Sequence, residues 1–260
     1  MAVESNENFF SEFDKSTYEE WKNAAITALK GASFEKSMFT QTPEGIELKP
    51  IYNKEDIENI EFLKNEFPGF TPYLRHNKPD GFLGKSWEIA QEINYPLPED
   101  VNQALISDLQ NGQNAIRLVI DRATAQHDDF ITDDVSGMNI CVSTVEDFEK
   151  IFNNIDITKY PVYIDAGLAG FATAMLFFNY CEKNGINTAD LKGGFELDAV
   201  SELVSDGYLP YQISKYYQQI AEFTKWVNSK SPNFQTIKIN TSAFHNAGAT
   251  AVDELAIAMS

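Results

Sequence analysis

Basic residues are scarce in this chain. Twenty lysines and arginines stand against 39 aspartates and glutamates in 260 residues, for a formal charge of −19. Nucleic acid and anionic lipid bind mainly through protein cations, so this balance argues against both as partners. Cysteine is nearly absent. Cys141 and Cys181 cannot make a disulfide framework, and their apolar flanks predict two buried thiols in a reducing compartment. The three histidines, His76, His127 and His245, show no zinc-ligand spacing, so no metal site is expected. No run of about 18 apolar residues suggests a membrane span. Val162 to Cys181 comes nearest, but Asp165 and its small neighbours fit a buried strand and helix better. The start, Met1-Ala2-Val3-Glu4-Ser5-Asn6-Glu7, has neither a basic n-region nor an apolar h-region, which makes a cytoplasmic location the expectation. There is no P-loop pattern and no G-x-S-x-G elbow, so neither a P-loop nucleotidase nor a classical hydrolase has support. Repeats and low-complexity segments are also missing.

What is present is a large stock of core residues. Phenylalanine (19) and tyrosine (11) are spread along the sequence, and 43% of residues are hydrophobic. That suffices for one large domain or two small ones. Residues 1–52 read as an N-terminal arm. Ser16 and Glu19 form a capping-box pattern ahead of Tyr18, Trp21, Ala24, Ala25, Ala28 and Leu29 at helical spacing, and Gly31 stops the helix. Met38–Thr42 and Ile46–Lys49 flank Pro43-Glu44-Gly45 as a hairpin. Trp21 and Phe39 on this light element pack either on the body or on a partner. Residues 53–86 form a connecting region broken by Pro68-Gly69, Pro72, Pro79-Asp80-Gly81 and Gly84.

From residue 87 to 260, strand and helix patterns alternate. Strands are expected at Trp87–Ile93, Ala115–Ile120, Val162–Ala166, Gly194–Leu197 and Thr236–Asn240. Helices are expected at Pro98–Gln110, Thr144–Asn153, Gly170–Asn184, Tyr211–Asn228 and Ala249–Met259. The strands are short and mostly apolar, as strands covered on both faces are. About five βα units imply parallel strands, in part of a (β/α) barrel or in an open doubly wound sheet. The apolar helical pattern runs on to Ser260, so a fragment of a longer polypeptide is expected.

Few motifs carry chemistry by themselves. Asp165-Ala166-Gly167-Leu168-Ala169-Gly170 joins a strand to a helix but has only part of the dinucleotide fingerprint, and reads as a tight turn. Lys192-Gly193-Gly194 reads as a turn into a strand. His127 sits in a polar stretch with Asp128-Asp129, and Asp133-Asp134 reads as another solvated pair. His245 follows a strand, where a barrel enzyme would place a general acid or base.

Longer stretches carry a resemblance. The helix from Tyr18, then Gly45-Ile46-Glu47-Leu48-Lys49-Pro50-Ile51-Tyr52 and Phe67-Pro68-Gly69, lead into Pro72-Tyr73-Leu74-Arg75 and Trp87-Glu88-Ile89-Ala90-Gln91. The tail adds Ala247-Gly248-Ala249-Thr250-Ala251 and Glu254-Leu255-Ala256. In order and spacing these resemble the cobalamin-dependent acyl-CoA mutases, methylmalonyl-CoA mutase above all. The resemblance implies a (β/α)8 TIM-type barrel around an acyl-CoA chain, here truncated to about five βα units behind an extended arm. The family's separate cobalamin domain, with its Asp-x-His-x-x-Gly motif, is missing from this sequence.

The departures shape the functional expectation. A family tyrosine that presses on the substrate falls on Phe82, which keeps the ring and loses the hydroxyl. A family Tyr-His pair falls on Ser242 and Ala243, and Asn246 takes the place of a glutamate. His245 lies two positions late, and in the family's arginine-rich stretch between that tyrosine and the tryptophan, here Phe82 to Trp87, only Lys85 is basic. Loss of one hydrogen-bond donor at a reacting centre costs about 10²–10³ in rate. The resemblance is thus to the small, non-catalytic (beta) subunit of a heterodimeric mutase, an isomerase of propionate metabolism. It implies a large catalytic subunit as partner and adenosylcobalamin in the intact complex, with none bound to this chain. No catalytic residue is expected: Phe82 and Ala243 are degenerate positions, and Tyr73, Arg75, Gln91 and His245 line a vestigial substrate channel. Open barrel edges also predict self-association of the chain alone. Two alternatives stand beside this: a catalytic acyl-CoA mutase of altered substrate preference using His245, and an α/β binding protein similar only in fold.

Overall fold

A computed structural model of the chain describes residues 16–125, 139–209 and 211–260. His127 and the pairs at 128–129 and 133–134 lie outside them. The chain falls into two compact units, one ending at Asp80 and one starting at Gly81.

In the first unit, α1 (Tyr18–Ala28) starts one residue later than the Ser16/Glu19 pattern suggested. Its cap is Thr17, whose hydroxyl accepts from the Glu20 N–H while the Glu20 carboxylate accepts from the Thr17 N–H at 2.7 Å. Next come α2 (Phe34–Met38), the two-residue strands β1 (Thr40–Gln41) and β2 (Glu47–Leu48), α3 (Lys54–Glu58) and α4 (Glu61–Asn65). The expected hairpin forms, closed by Thr42 N–H donating to Ile46 C=O at 2.9 Å. Phe34 is buried, and the rings of Trp21 and Phe39 meet its edges, both at 6.1 Å between centroids. The stretch after α4 folds back on itself: Gly69 N–H donates to His76 C=O at 2.7 Å, and a Cβ on Gly69 would come within 2.5 Å of the Pro79 ring.

The second unit is α/β. Its elements are α5 (Pro98–Gln110), β3 (Ile116–Val119), α6 (Arg122–Ala125), α7 (Val145–Ile151), β4 (Val162–Asp165), α8 (Gly170–Lys183), β5 (Gly193–Leu197), α9 (Ala199–Asp206), α10 (Ile213–Lys230), β6 (Phe234–Ile237), α11 (Ser242–Asn246) and α12 (Ala251–Met259). The four strands β3-β4-β5-β6 are all parallel and lie in sequence order. A doubly wound sheet reverses its order at a switch point, and this one does not. The arrangement matches part of an α/β barrel.

Burial follows the strand period of two. Ile116, Leu118, Val162, Ile164, Phe195 and Phe234 point into one core with residues of α5, α7, α8 and α10. Phe148, Phe177, Phe195 and Phe234 meet there, with centroid separations of 5.5–5.9 Å. The alternate positions Arg117, Tyr163 and Asp165 are only half-buried, and Glu196 is nearly buried. This corrects the expectation of strands covered on both faces: one face is apolar core and the other is polar.

The expected strand Trp87–Ile93 is extended but does not form a ladder. Glu92 makes a single parallel bridge to Arg117. Side-chain amides take the neighbouring ladder positions: Ile89 N–H donates to Asn114 Oδ1 at 2.6 Å and Gln91 N–H to Gln113 Oε1 at 3.4 Å. The cysteines are corrected as well. Cys181 is buried, which pushes its thiol up to about 12, but Cys141 is exposed.

Candidate functional site

The polar face of the sheet holds a connected set of charges. Arg117, mid-way along β3, pairs with Glu92 through Nη1. Its Nη2 lies 3.3 Å from Asp165 Oδ2 on β4 and 3.1 Å from Glu196 Oε2 on β5. Lys238, just past β6, reaches the same Glu196 oxygen at 2.5 Å. Arg117 and Lys238 therefore share one nearly buried carboxylate, and the chain of contacts crosses the whole sheet. Beside it Tyr163 donates to Glu88 at 2.7 Å, which lowers the Glu88 carboxyl from its ordinary value. Burial, then the Glu88 hydrogen bond, pushes the Tyr163 phenol up to about 12.

The C-terminal ends of β4 and β5 hold more carboxylates. Burial raises Asp165, and the charge of Glu196 adds to the shift. After β4 the chain turns sharply: Gly167 has φ +48°, and a Cβ on Gly170 would fall 2.2 Å from Leu197 Cδ2. The Asp165–Gly170 stretch is thus a tight strand-to-helix turn. After β5, Asp198 caps α9 by accepting from the N–H groups of Val200 and Ser201, and its other oxygen accepts from Asn240 N–H at 2.8 Å. Glu202 on α9 faces Gly167. Burial and then the charge of Asp165 push its carboxyl up to about 7.

After β6, His245 Nδ1 is 2.8 Å from Glu254 Oε1, and Thr241 donates to the other Glu254 oxygen at 2.6 Å. These contacts tie α11 to α12. A cavity of about 290 Å3 opens nearby, lined by Leu197, Ile220, Ile237, Phe244 and Ile257 among others. Among the described residues no His, Cys, Asp and Glu cluster is placed to hold a metal ion. Among them no helix is long and apolar enough to cross a membrane.

The residues singled out in the sequence are divided between the two units. Tyr73, with φ +62°, and Arg75, whose Nη1 donates to Glu66 C=O at 3.4 Å, are exposed in the first unit. Phe82 packs edge-on against Trp87 at 5.6 Å between centroids in the second unit. Gln91 lies in the segment beside β3, whereas Ala243 and His245 follow β6 at the other end of the strand order. The charge network of Arg117, Asp165, Glu196 and Lys238 went unremarked in the sequence. Its signal was there: single charged residues alternate with apolar ones in Ile116-Arg117-Leu118 and Phe195-Glu196-Leu197.

Comparison with known proteins decides the family. The model of the methylmalonyl-CoA mutase family matches residues 41–260. The chain belongs to the methylmalonyl-CoA mutase family. It is 28% identical to the methylmalonyl-CoA mutase large subunit of Streptomyces virginiae, over 92% of this chain and 33% of that protein. It is 26% identical to methylmalonyl-CoA mutase of Escherichia coli K12, over 94% of this chain and 35% of the relative. For the human mitochondrial enzyme the figures are 27%, 91% and 32%. The chain thus spans about a third of the length of these relatives. The family match takes in both the polar sheet face and the His245–Glu254 pair. The relatives are alike in sequence over nine tenths of the chain, so the mutase resemblance is not one of fold alone.

Proposed function

We propose that this chain is a barrel portion of the small, non-catalytic subunit of an adenosylcobalamin-dependent methylmalonyl-CoA mutase. In this reading it pairs with a large catalytic subunit, and the complex interconverts methylmalonyl-CoA and succinyl-CoA. The role of this chain is structural. One observation carries the reading: the polar sheet face, which an acyl-CoA thread would have to line, satisfies itself. Arg117 is engaged by Glu92, Asp165 and Glu196, and Lys238 by Glu196, so the cations of this face are already paired with its own carboxylates. Phe82 offers a ring without a donor, and Ala243 offers none.

The residues present do not fit a cobalamin ligand set. The sequence has no Asp-x-His-x-x-Gly motif, and the residue two places before His245 is Ala243 rather than an aspartate. No step is assigned to the cofactor on this chain. In the proposal it belongs to the partner subunit.

The experiment is reconstitution. The purified chain is mixed with a large mutase subunit, and co-elution in gel filtration is scored together with turnover. Co-elution is expected, with turnover only when the large subunit is present. Stoichiometric CoA-ester binding by the chain alone, with turnover once adenosylcobalamin is added, would favour the catalytic alternative that uses His245.

A further inference from the structure

The sequence holds two asparagine-glycine steps, Asn111-Gly112 and Asn184-Gly185. Asparagine is a chemically labile side chain. A glycine after it leaves the next backbone nitrogen without the shielding of a Cβ. The two steps form a matched pair. Each asparagine is the C-cap of a helix, Asn111 of α5 with φ −102° and ψ 13°, and Asn184 of α8 with φ −96° and ψ 8°. Both are exposed. Each side-chain amide donates one turn back, Asn111 Nδ2 to Ser107 C=O at 2.8 Å and Asn184 Nδ2 to Tyr180 C=O at 3.0 Å. Each glycine has a positive φ, +112° at Gly112 and +65° at Gly185. The residue after each glycine closes the helix end, Gln113 N–H donating to Asp108 C=O at 3.0 Å and Ile186 N–H to Cys181 C=O at 2.9 Å.

The difference lies in the glycine nitrogen. Gly185 N–H donates to Glu182 C=O at 3.1 Å. Gly112 N–H has no acceptor among the described residues. This nitrogen is the atom that reacts when an asparagine loses its amide, so the one structural contrast falls on the reacting group.

We propose that Asn111 is a modification site of this chain, converting to aspartate and isoaspartate in the folded protein ahead of Asn184. The Gly112 nitrogen gives its proton to hydroxide and attacks Asn111 Cγ. The Cγ–Nδ2 bond breaks, ammonia leaves and a succinimide ring closes. Water then adds to one of the two ring carbonyls. Opening on one side leaves aspartate and on the other isoaspartate. Nothing is oxidised or reduced, and water and hydroxide are the only co-reactants. At Gly185 the same nitrogen must first release Glu182, and one such hydrogen bond holds back the reactive form by about two- to tenfold. The product changes its surroundings. A carboxylate at 111 puts negative charge at the negative end of α5 and removes the donor to Ser107. The same turn fastens the extended segment before it: Ile89 N–H donates to Asn114 Oδ1 at 2.6 Å and Gln91 N–H to Gln113 Oε1 at 3.4 Å. Conversion of Asn111 thus loosens residues 89–91.

The test ages the full chain at mildly alkaline pH, once in the native state and once in denaturant, and follows both steps by peptide-mapping mass spectrometry. In the native chain Asn111 is expected to convert about two- to tenfold faster than Asn184. In denaturant both glycine N–H groups are free, and the two steps are expected to convert alike. Equal native rates, or a faster Asn184, overturn the proposal. So does a native ratio that survives in denaturant, because it would then come from the neighbouring residues and not from the Gly112 N–H. Asn111→Asp supplies the product charge directly, and hydrogen exchange at residues 89–91 is expected to speed up several-fold. Unchanged exchange there overturns the claimed loosening.

Discussion

Arg117 Nη2 and Glu196 Oε2 stand 3.1 Å apart although their strands are not neighbours, because β4 lies between them. The guanidinium spans β4 and touches Asp165 on the way. Glu196 is 9% exposed in its side chain, so its charge has little water to fall back on. Removing the arginine leaves this carboxylate with Lys238 alone. Arg117→Ala is expected to lower unfolding stability by about 1–3 kcal/mol, below the ~3–5 kcal/mol of a fully buried pair because Lys238 stays with Glu196. Urea unfolding monitored by tryptophan fluorescence measures it. Glu92→Gln, at the exposed end of the same network, is expected to shift the midpoint far less. Equal losses would show that the network does not depend on burial.

The strand β5 enters the sheet through a glycine that no other residue can replace. Gly193 has φ +110°, and a Cβ there would lie 2.0 Å from the Val162 carbonyl oxygen on β4. Both faults are in the backbone, so no rotamer change relieves them. Gly193→Ala is expected to cost about 3 kcal/mol or more. Gly112 provides the control. Its φ is nearly the same, +112°, but nothing lies within 4 Å of its missing Cβ. Gly112→Ala is expected to cost about 1 kcal/mol from backbone strain alone. Thermal unfolding of the two variants side by side separates collision from strain.

Much of the second unit was legible because local signals agreed with its packing. The helix at Pro98–Gln110 was placed to the residue: proline opens it, Glu99 and Asp100 fill the first turn, and Val101 and Leu105 share a buried face. The four short apolar strands between turn residues were found within one to three residues. Helix α9 was not, although Asp198 and Gly207 are an N-cap and a C-cap with eight residues between them. Its short, half-exposed sequence has too little apolar period to stand out. The segment Trp87–Ile93 failed for the opposite reason. Its pattern is that of a strand, but the amides of Asn114 and Gln113 take its N–H groups, and no periodicity in the sequence reports a side-chain hydrogen bond. The site residues were hardest. The Arg117 network joins β3, β5 and the end of β6, and only the fold brings such distant positions together.

His245 separates the two readings of the family membership. Its ring is 67% exposed and is oriented by Glu254, which Thr241 holds in turn. Such a chain of contacts can prepare an imidazole for proton transfer, as a general base needs an orienting partner. It serves equally well as a tie between α11 and α12. If the chain is catalytic, His245→Ala removes a proton-transfer group and lowers kcat by about 10²–10⁴. Under the structural role proposed here, the reconstituted complex keeps its turnover within about twofold, and only the exchange protection of α11 and α12 falls. Thr241→Val weakens the same tie without touching the imidazole, and is expected to loosen α12 in the same way while turnover again stays level. A large loss of kcat in His245→Ala with full activity in Thr241→Val would assign chemistry to this ring and contradict the structural role.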